Sequence, residues 1–517
     1  MYTPRGFGVS ELGDIEVVAD GDDLHLFHLT LPTHDVVQHA VSRDGLAWSP
    51  LPAALRTGDP GDIDDDQIWT MSVTPRPDRD GYLMLYTALT TADGGRVQRI
   101  AAATSDDLLT WRKSAANPVS EADPRWYESV PERTPFVSWR DPKLVRIGDT
   151  FFATLCAREK QGPLPRRGCV GLLASDDLAT WEARAPLFAP QRYWDLECPQ
   201  LFHLRDSSPS GRWYLTAAIM EDRTQRYWAA GDAAGPFRMP AGGDLLAPPG
   251  HYAARVIRWR DMNLLFAWHQ PKLHKGWMTS SRTVDWVEAR NPFGKFLAPP
   301  LRLTAREDGS LALGSYPGWD EYRDGGWRAP EPATGTLFAE TAVDNPPPWR
   351  INRQGAMDVL TAGALADDFV LEGILTLDGA RGGLGVRLDA EGNGLYVELA
   401  PGSRRVTLQR WGSTRNDHDG THRHEFDELQ AVTLPAQMKA GAAMPIRLLV
   451  VGPYVEVSLA GEVAIAAMTG KPRAGAWGMW VEDGSCVLSD ARWAPMRRPV
   501  HHAPSRFDRT VEAAIHD

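Results

Sequence analysis

The chain has 517 residues and a formal charge of −12 at pH 7, longer than one ordinary core accommodates, so two domains are expected. The acidic balance excludes the concentrated basic surface that a nucleic acid needs, and no apolar stretch reaches the length of a membrane span. The four cysteines lack metal-ligand or disulfide-framework spacing, and the first residues lack a basic-then-apolar leader, so a cytoplasmic protein with free thiols is expected, monomer or homodimer.

In chain order, Leu12-Gly13-Asp14-Ile15-Glu16 sets two carboxylates two residues apart, on one face if this is a strand. Leu26-Phe27-His28-Leu29 reads as a strand, and it leads into HAVSRDGLAW, where Ser42-Arg43-Asp44 forms a polar turn that ends on Trp48. The acidic run Asp62, Asp64, Asp65, Asp66 reads as a solvated loop, although Asp66 lies close enough to Trp69 to reach a site. The Ser-x-Asp turn then recurs from Ser105 to Trp111 and from Ser175 to Trp181, with a weaker copy ending at Trp286. Residues 227–237 fit a unit with a degenerate turn. Short alternating runs such as Tyr82-Leu83-Met84-Leu85-Tyr86 recur between the copies, while helical periodicity is almost absent. Roughly 60–70 residues per four-stranded unit, about five units, predict a β-propeller over residues 1–325.

Two strings inside that repeat carry chemistry. WRDPK sets Asp141 between a fixed cation, Arg140, and a proline that blocks helix continuation. YWDLECPQ sets Glu197 before a strand-like run, beside Tyr193 and Trp194. By repeat position they fall on blades two to three. Carboxylates held on rigid backbone are what glycosidic bond cleavage needs. Twenty tryptophans have two uses, as core plugs in β-structure and as platforms for sugar rings. Trp69 and Trp194 are candidates for either use, whereas Trp48, Trp111 and Trp181 of the turns are structural.

Residues 326–350, with APEPATG and DNPPPW, read as a proline-rich linker. Short alternating runs over residues 351–497 predict an antiparallel β-sandwich, and residues 498–517 a tail with a short helix. The fold class is therefore all-β, a five-bladed β-propeller followed by a C-terminal antiparallel β-sandwich. His418, His422 and His424 sit in NDHDGTHRHE, which reads as a polar hairpin; no metal and no cofactor are expected.

These motifs, in this order, resemble glycoside hydrolase family 32, the invertase, inulinase and levanase group. WRDPKLVRIGDTFF is similar to that family's RDP strand and hairpin, YWDLECPQLF to its EC motif, and LFHLTLPTHDVVQHAVSRDGLAWSPLPAAL to its first blade. Gly250-His251-Tyr252-Ala253-Ala254-Arg255 resembles the fourth-to-fifth-blade segment, and LAPPLRLTAREDGSLAL the closing strands. The resemblance implies Asp14 as nucleophile, Glu197 as general acid/base and Asp141 as transition-state stabiliser. Arg140, Trp69, Asp66, His28, Trp194 and Tyr252 are then substrate-binding candidates, and Tyr252 and Arg255 fit the site's rim.

The implied reaction is exo-acting hydrolysis of β-linked fructofuranosides in small oligosaccharides, by double displacement with retention. Glu197 has apolar sequence neighbours, the setting that keeps a carboxylic acid protonated. The family's nucleophile string departs here, because Asp14 keeps its carboxylate without the usual Asn and Pro neighbours, and His28 stands on a strand that normally carries Gln. Glu16 and the Asp62–Asp66 run compete with Asp14. An arabinofuranosidase-like furanosidase, fructosyl transfer and a non-catalytic carbohydrate-binding protein are the alternatives.

Overall fold

The computed structural model describes Tyr2 and residues 12–77, 80–131, 134–205, 211–269, 295–331, 333–338, 348–415, 420–433, 439–469 and 475–500. The chain divides into two compact units, Met1–Leu313 and Gly314–Pro499.

The first unit is a five-bladed β-propeller. Its antiparallel sheets span residues 12–56, 67–113, 139–188, 197–230 and 251–314, each built in sequence order from the axis outwards. The innermost strands are Leu12–Asp20, Gln67–Pro75, Trp139–Ile147, Glu197–Leu204 and His251–Trp259, and each neighbours the next until the fifth returns to the first. Tyr2 pairs with Leu297 and so ties the start of the chain to the last blade. Both faces of a blade are covered by its neighbours, which explains strands such as Tyr82–Leu89 with seven of eight residues buried. Val18, Phe27 and Val37 of the first blade pack on Ile68, Met84 and Ala101 of the second. Similar clusters join blades two to three and three to four.

Each of the three strong Ser-x-Asp copies is the turn between the third and fourth strands of a blade. Asp44 Oδ1 accepts the amides of Leu46 and Ala47 at 2.9 and 2.8 Å. Asp107 does the same for Leu109 and Thr110, and Asp177 for Ala179 and Thr180. The turn comes near the end of a blade, so a motif C-terminal to it belongs to the next blade. Asp141 and Glu197 accordingly open the third and fourth blades, one blade later than expected. The degenerate unit at residues 227–237 is the outer part of blade four, where isolated bridges from Ala229 to Arg238 and Arg226 to Leu245 replace a continuous fourth strand. The weak copy ending at Trp286 lies outside the described residues.

The second unit is built on one ten-stranded antiparallel sheet folded into two layers. Phe369–Leu388 and Ala476–Pro495 pair along most of their length. Phe369–Leu388 also pairs with Ala443–Val451 through its first half and with Gly394–Ala400 through its second, so one bent strand serves both layers. Gly383 lies in its second half at φ 154°, and a Cβ there would meet the Val397 carbonyl oxygen at 2.2 Å. Leu371, Leu377, Val397, Leu448, Val457 and Met479 lie in the core between the layers.

The sequence placed the boundary near residue 325 and left residues 326–350 without strands. In the structure the second unit starts at Gly314. Trp319 is fully buried there, with its ring centroid 6.4 Å from that of Tyr454. Ala333–Thr336, inside the expected linker, pairs with Trp349–Ala364. His418 and the side chains of His422 and His424 lie outside the described residues, as does the tail beyond residue 500. Among the described residues no helix is long and apolar enough to cross a membrane.

Candidate active site

Every innermost strand carries one extra residue at the same level. The ladder slips between Leu12 and Ile15, Trp69 and Met71, Arg140 and Lys143, Glu197 and Gln200, and Tyr252 and Arg255. A bulge interrupts strand alternation and re-aims a side chain. Three of the bulges contain non-glycine residues in left-handed backbone, Asp141 at φ 60°, Cys198 at 47° and Ala253 at 48°. Such backbone costs about 1–3 kcal/mol each and clusters at functional sites.

The bulges bring Asp14, Thr70, Asp141, Glu197, Cys198 and Tyr252 into one group around the axis. Carboxylate oxygens of Asp14 and Asp141 and the sulfur of Cys198 all lie within 4.8 Å of one another. Asp14 is half-buried and held at both oxygens: Thr70 donates its hydroxyl to Oδ2, and Trp268 Nε1 donates to Oδ1 at 3.1 Å. Burial raises its carboxyl above the usual range, the Thr70 bond opposes that, and the nearby charge of Glu197 adds to it.

Asp141 is 2% exposed. Its Oδ2 accepts the Cys198 amide at 3.0 Å, and Arg140 Nε stands 3.5 Å away. Burial lifts it to about 6; Arg140 pulls it down, while Asp14 and Glu197 push it up.

Glu197 opens towards solvent, with 19% of its side chain exposed. Arg140 Nη2 donates to its Oε1 at 2.8 Å and Tyr252 donates its hydroxyl to Oε2. Burial and the Glu197 charge push the Tyr252 phenol well above its ordinary range, so it remains a donor. The setting of Glu197 is thus a cation and a phenol, not the apolar surroundings expected from its sequence neighbours. Arg140 also differs from expectation, because its shorter contacts run to Asp195 and Glu197 rather than to Asp141.

One step further along the inner strands lies a buried polar layer. Glu16 is fully buried, with Lys143 Nζ at 2.7 Å and Arg255 Nε at 3.4 Å, and it accepts the Val73 amide at 3.1 Å and the Ser72 hydroxyl at 3.3 Å. Glu16, the rival of Asp14 on the same strand, is therefore closed off from the site by cations. Arg255, expected at the rim, is fully buried in this floor, where it also donates to the Cys198 carbonyl at 3.1 Å.

The remaining candidates make their recorded contacts elsewhere. His28 is buried on the second strand of blade one, with Nδ1 3.0 Å from the Leu29 carbonyl oxygen and its ring edge against Tyr2. Trp69 neighbours Thr70, but its Nε1 donates to Gln67 at 2.6 Å and its ring tilts against His34. Trp194 lies against Arg158, whose guanidinium carbon is 4.1 Å from the ring centre. Asp66 points at Gly95, where an added Cβ would stand 2.5 Å from its Oδ2. Asp64 and Asp65 are also occupied, Asp64 by Lys113 and Tyr86, and Asp65 by Gly61 and Thr91. Sequence reasoning missed Thr70, Trp268 and Asp195. Thr70, inside Ile68-Trp69-Thr70-Met71-Ser72, and Asp195, inside YWDLECPQ, stood within strings that the sequence offers.

The model of the glycosyl hydrolases family 32 N-terminal domain matches residues 17–287. It begins just past Asp14, so the claim of Asp14 on the site rests on geometry. A cell-wall isozyme of β-fructofuranosidase from Pisum sativum is 29% identical over 198 residues, which make up 36% of this chain and 33% of that protein. The likeness thus spans about a third of that curated relative. Fructan 1-exohydrolase IIa from Cichorium intybus aligns in structure with a TM-score of 0.65 at 15% identity, over 97% of each chain. A fructofuranosidase variant from Schwanniomyces occidentalis, complexed with fructosylnystose, aligns with a TM-score of 0.67 at 15% identity, over 96% of each chain. At those identities the likeness concerns the fold, propeller and C-terminal sheets together. With the family model covering more than half of its length, the chain belongs to glycosyl hydrolases family 32.

Proposed function

We propose that this chain is an exo-acting β-fructofuranosidase that works by double displacement with retention. The observation that carries the reading is the convergence of three carboxylates from three blades, Asp14, Asp141 and Glu197, with Glu197 alone accepting from both the Tyr252 phenol and Arg140 Nη2. In the first step Asp14 bonds to C2 of the fructosyl unit as the bond from C2 to the leaving oxygen breaks, and Glu197 gives its proton to that oxygen. In the second, Glu197 takes a proton from water as the water oxygen bonds to C2 and releases Asp14. The Thr70 and Trp268 donors hold Asp14 in one orientation and favour its anion. Asp141, braced by the Cys198 amide, is suited to accept sugar hydroxyls while positive charge builds on the ring.

The exo mode is supported by the floor. Glu16 and Arg255 are fully buried beneath the carboxylates and close the axis there, which suits a chain end entering from one side. The relatives' names, β-fructofuranosidase and fructan 1-exohydrolase, agree in sugar, and the complex with fructosylnystose supports a small oligosaccharide as substrate class.

The test is a screen of the purified protein against sucrose, inulin- and levan-type oligosaccharides and aryl furanosides, with product configuration read by NMR. Release of β-fructofuranose as the first-formed anomer is expected. An inverted product, turnover confined to arabinofuranosides, products of transfer instead of hydrolysis, or no turnover would each overturn the reading.

A further inference from the structure

One buried acid has no task in that double displacement. Asp195 is fully buried two residues before Glu197. The Ser138 hydroxyl lies 3.2 Å from each of its oxygens, and Arg140 Nη2 donates to Oδ2 at 2.9 Å. The same nitrogen donates to Glu197 at 2.8 Å, so its two hydrogens serve two carboxylates.

Arg158 is the other cation near Asp195, at 3.8 Å. Its closer partners are Glu128 at 2.9 Å and the carbonyls of Trp194 and Leu164, each at 2.5 Å. Arg140 is thus the one cation in hydrogen-bond contact with Asp195 among the described residues, and Asp195 shares it with Glu197. Asp141 from Trp139–Ile147, Cys156 from Thr150–Arg158 and Cys169 from Gly168–Ser175 also face this group. Asp14, Cys198, Arg223, Tyr252, Glu128 and Glu221 are the further titratable groups near it among the described residues. None of these takes a hydrogen from Arg140 Nη2.

An arginine that served Glu197 alone would favour its anion, the wrong form for the first step. A second carboxylate on the same nitrogen divides that pull and adds a like charge that disfavours another anion nearby. We propose that Asp195 is a positioning residue: by sharing Arg140 with Glu197 it lets Glu197 hold the proton that the first step delivers. This rests on Glu197 being the acid/base.

The test compares kcat/KM against pH for the wild type, Asp195→Asn and Glu197→Gln. Each is assayed on the oligosaccharide hydrolysed fastest in the screen and on p-nitrophenyl β-fructofuranoside, whose leaving group needs little acid assistance. Asp195→Asn is expected to move the basic limb to lower pH by about one unit, a loss of about tenfold on the oligosaccharide above neutrality, with the aryl substrate changed less than about twofold. A role confined to packing would lower both substrates together and leave the limb in place.

If Glu197→Gln loses the two substrates equally, the acid/base assignment fails. If Glu197→Gln loses only the oligosaccharide while Asp195→Asn keeps the wild-type profile, the inference about Asp195 fails alone. Should Asp195→Asn not fold by circular dichroism, Asp195→Ser, which also removes the charge, decides. A shift in the same direction supports the proposal, and an unchanged profile overturns it.

Discussion

The backbone amide of Cys198 donates to the Asp141 carboxylate at 3.0 Å, and both residues hold left-handed backbone in the innermost strands of neighbouring blades. Each bulge thus aims a group that the other completes. Asp141 supplies an acceptor to an amide that strand pairing has released, and that amide holds the carboxylate in place. The bond joins blades three and four where chemistry is expected, so strain and function coincide.

Asp141→Asn is expected to trade activity for stability. A carboxyl raised to about 6 binds its proton more tightly in the folded chain than in the unfolded one, where its pKa is near 3.9. The folded state therefore binds more protons between about pH 4 and 6, stability falls as pH rises through that window, and the full penalty stands above it. At neutral pH removing that charge is expected to gain about 2–3 kcal/mol, and activity falls by about a thousandfold or more. Melting temperatures of the two proteins from pH 3.5 to 8 check this: the gap opens with rising pH and closes near pH 4.

The acid limb of kcat/KM is expected near pH 6. Burial pushes Asp14 and Asp141 up, the Glu197 charge adds to both and the Asp14 charge adds to Asp141, so the limb belongs to the coupled group rather than to either residue. A pH–rate profile between 4 and 9 reads it directly, and a limb near 4 would contradict the burial of these acids.

Thr70→Val tests the other half of that balance. The hydroxyl favours the Asp14 anion against burial, and valine keeps the shape without the donor. The acid limb is expected to move to higher pH, with a loss of about tenfold to a hundredfold in kcat. Trp268→Phe removes the donor at the other oxygen and should act in the same direction. The double variant should lose less than the product of the two, since both act on one carboxylate.

Thr70 and Trp268 also mark the limit of reading by pattern. Strand alternation shows which residues share a face, but one extra residue reverses that phase beyond it, and nothing in Ile68-Trp69-Thr70-Met71-Ser72 announces the insertion. Trp69 therefore drew attention as an aromatic beside a polar run, while its neighbour Thr70 donates to Asp14. The Ser-x-Asp turns were legible because a carboxylate that caps two amides leaves a local signature. Asp141 and Glu197 were legible through the motifs around them. Asp195 lay in plain view, yet its meaning depends on Arg140 and Arg158 from another blade, a relation that no local string contains. Arg255 misled for the same reason: an arginine after a tyrosine looks like a rim until the bulge between them turns it into the floor.

Glu16→Gln is expected to be the most destabilising change in the floor. Glu16 faces Lys143 and Arg255 with no exposure to water, and two cations that lose their counter-charge in a buried layer have nothing to replace it. Breaking a buried ion pair on one side costs about 3–5 kcal/mol, whereas removing both partners costs much less because no orphan charge is left. Unfolding midpoints in urea should therefore fall sharply for Glu16→Gln and recover in part when Lys143→Met is added. Recovery is expected to be incomplete, since Arg255 keeps its charge and its Cys198 carbonyl contact but still lacks the carboxylate. Ser72→Ala, which removes the hydroxyl that donates to Glu16 and accepts the Leu144 amide at 3.1 Å, is expected to cost about 1–2 kcal/mol. If Glu16→Gln costs no more than Ser72→Ala, the floor is held by packing and the ion pairs contribute little.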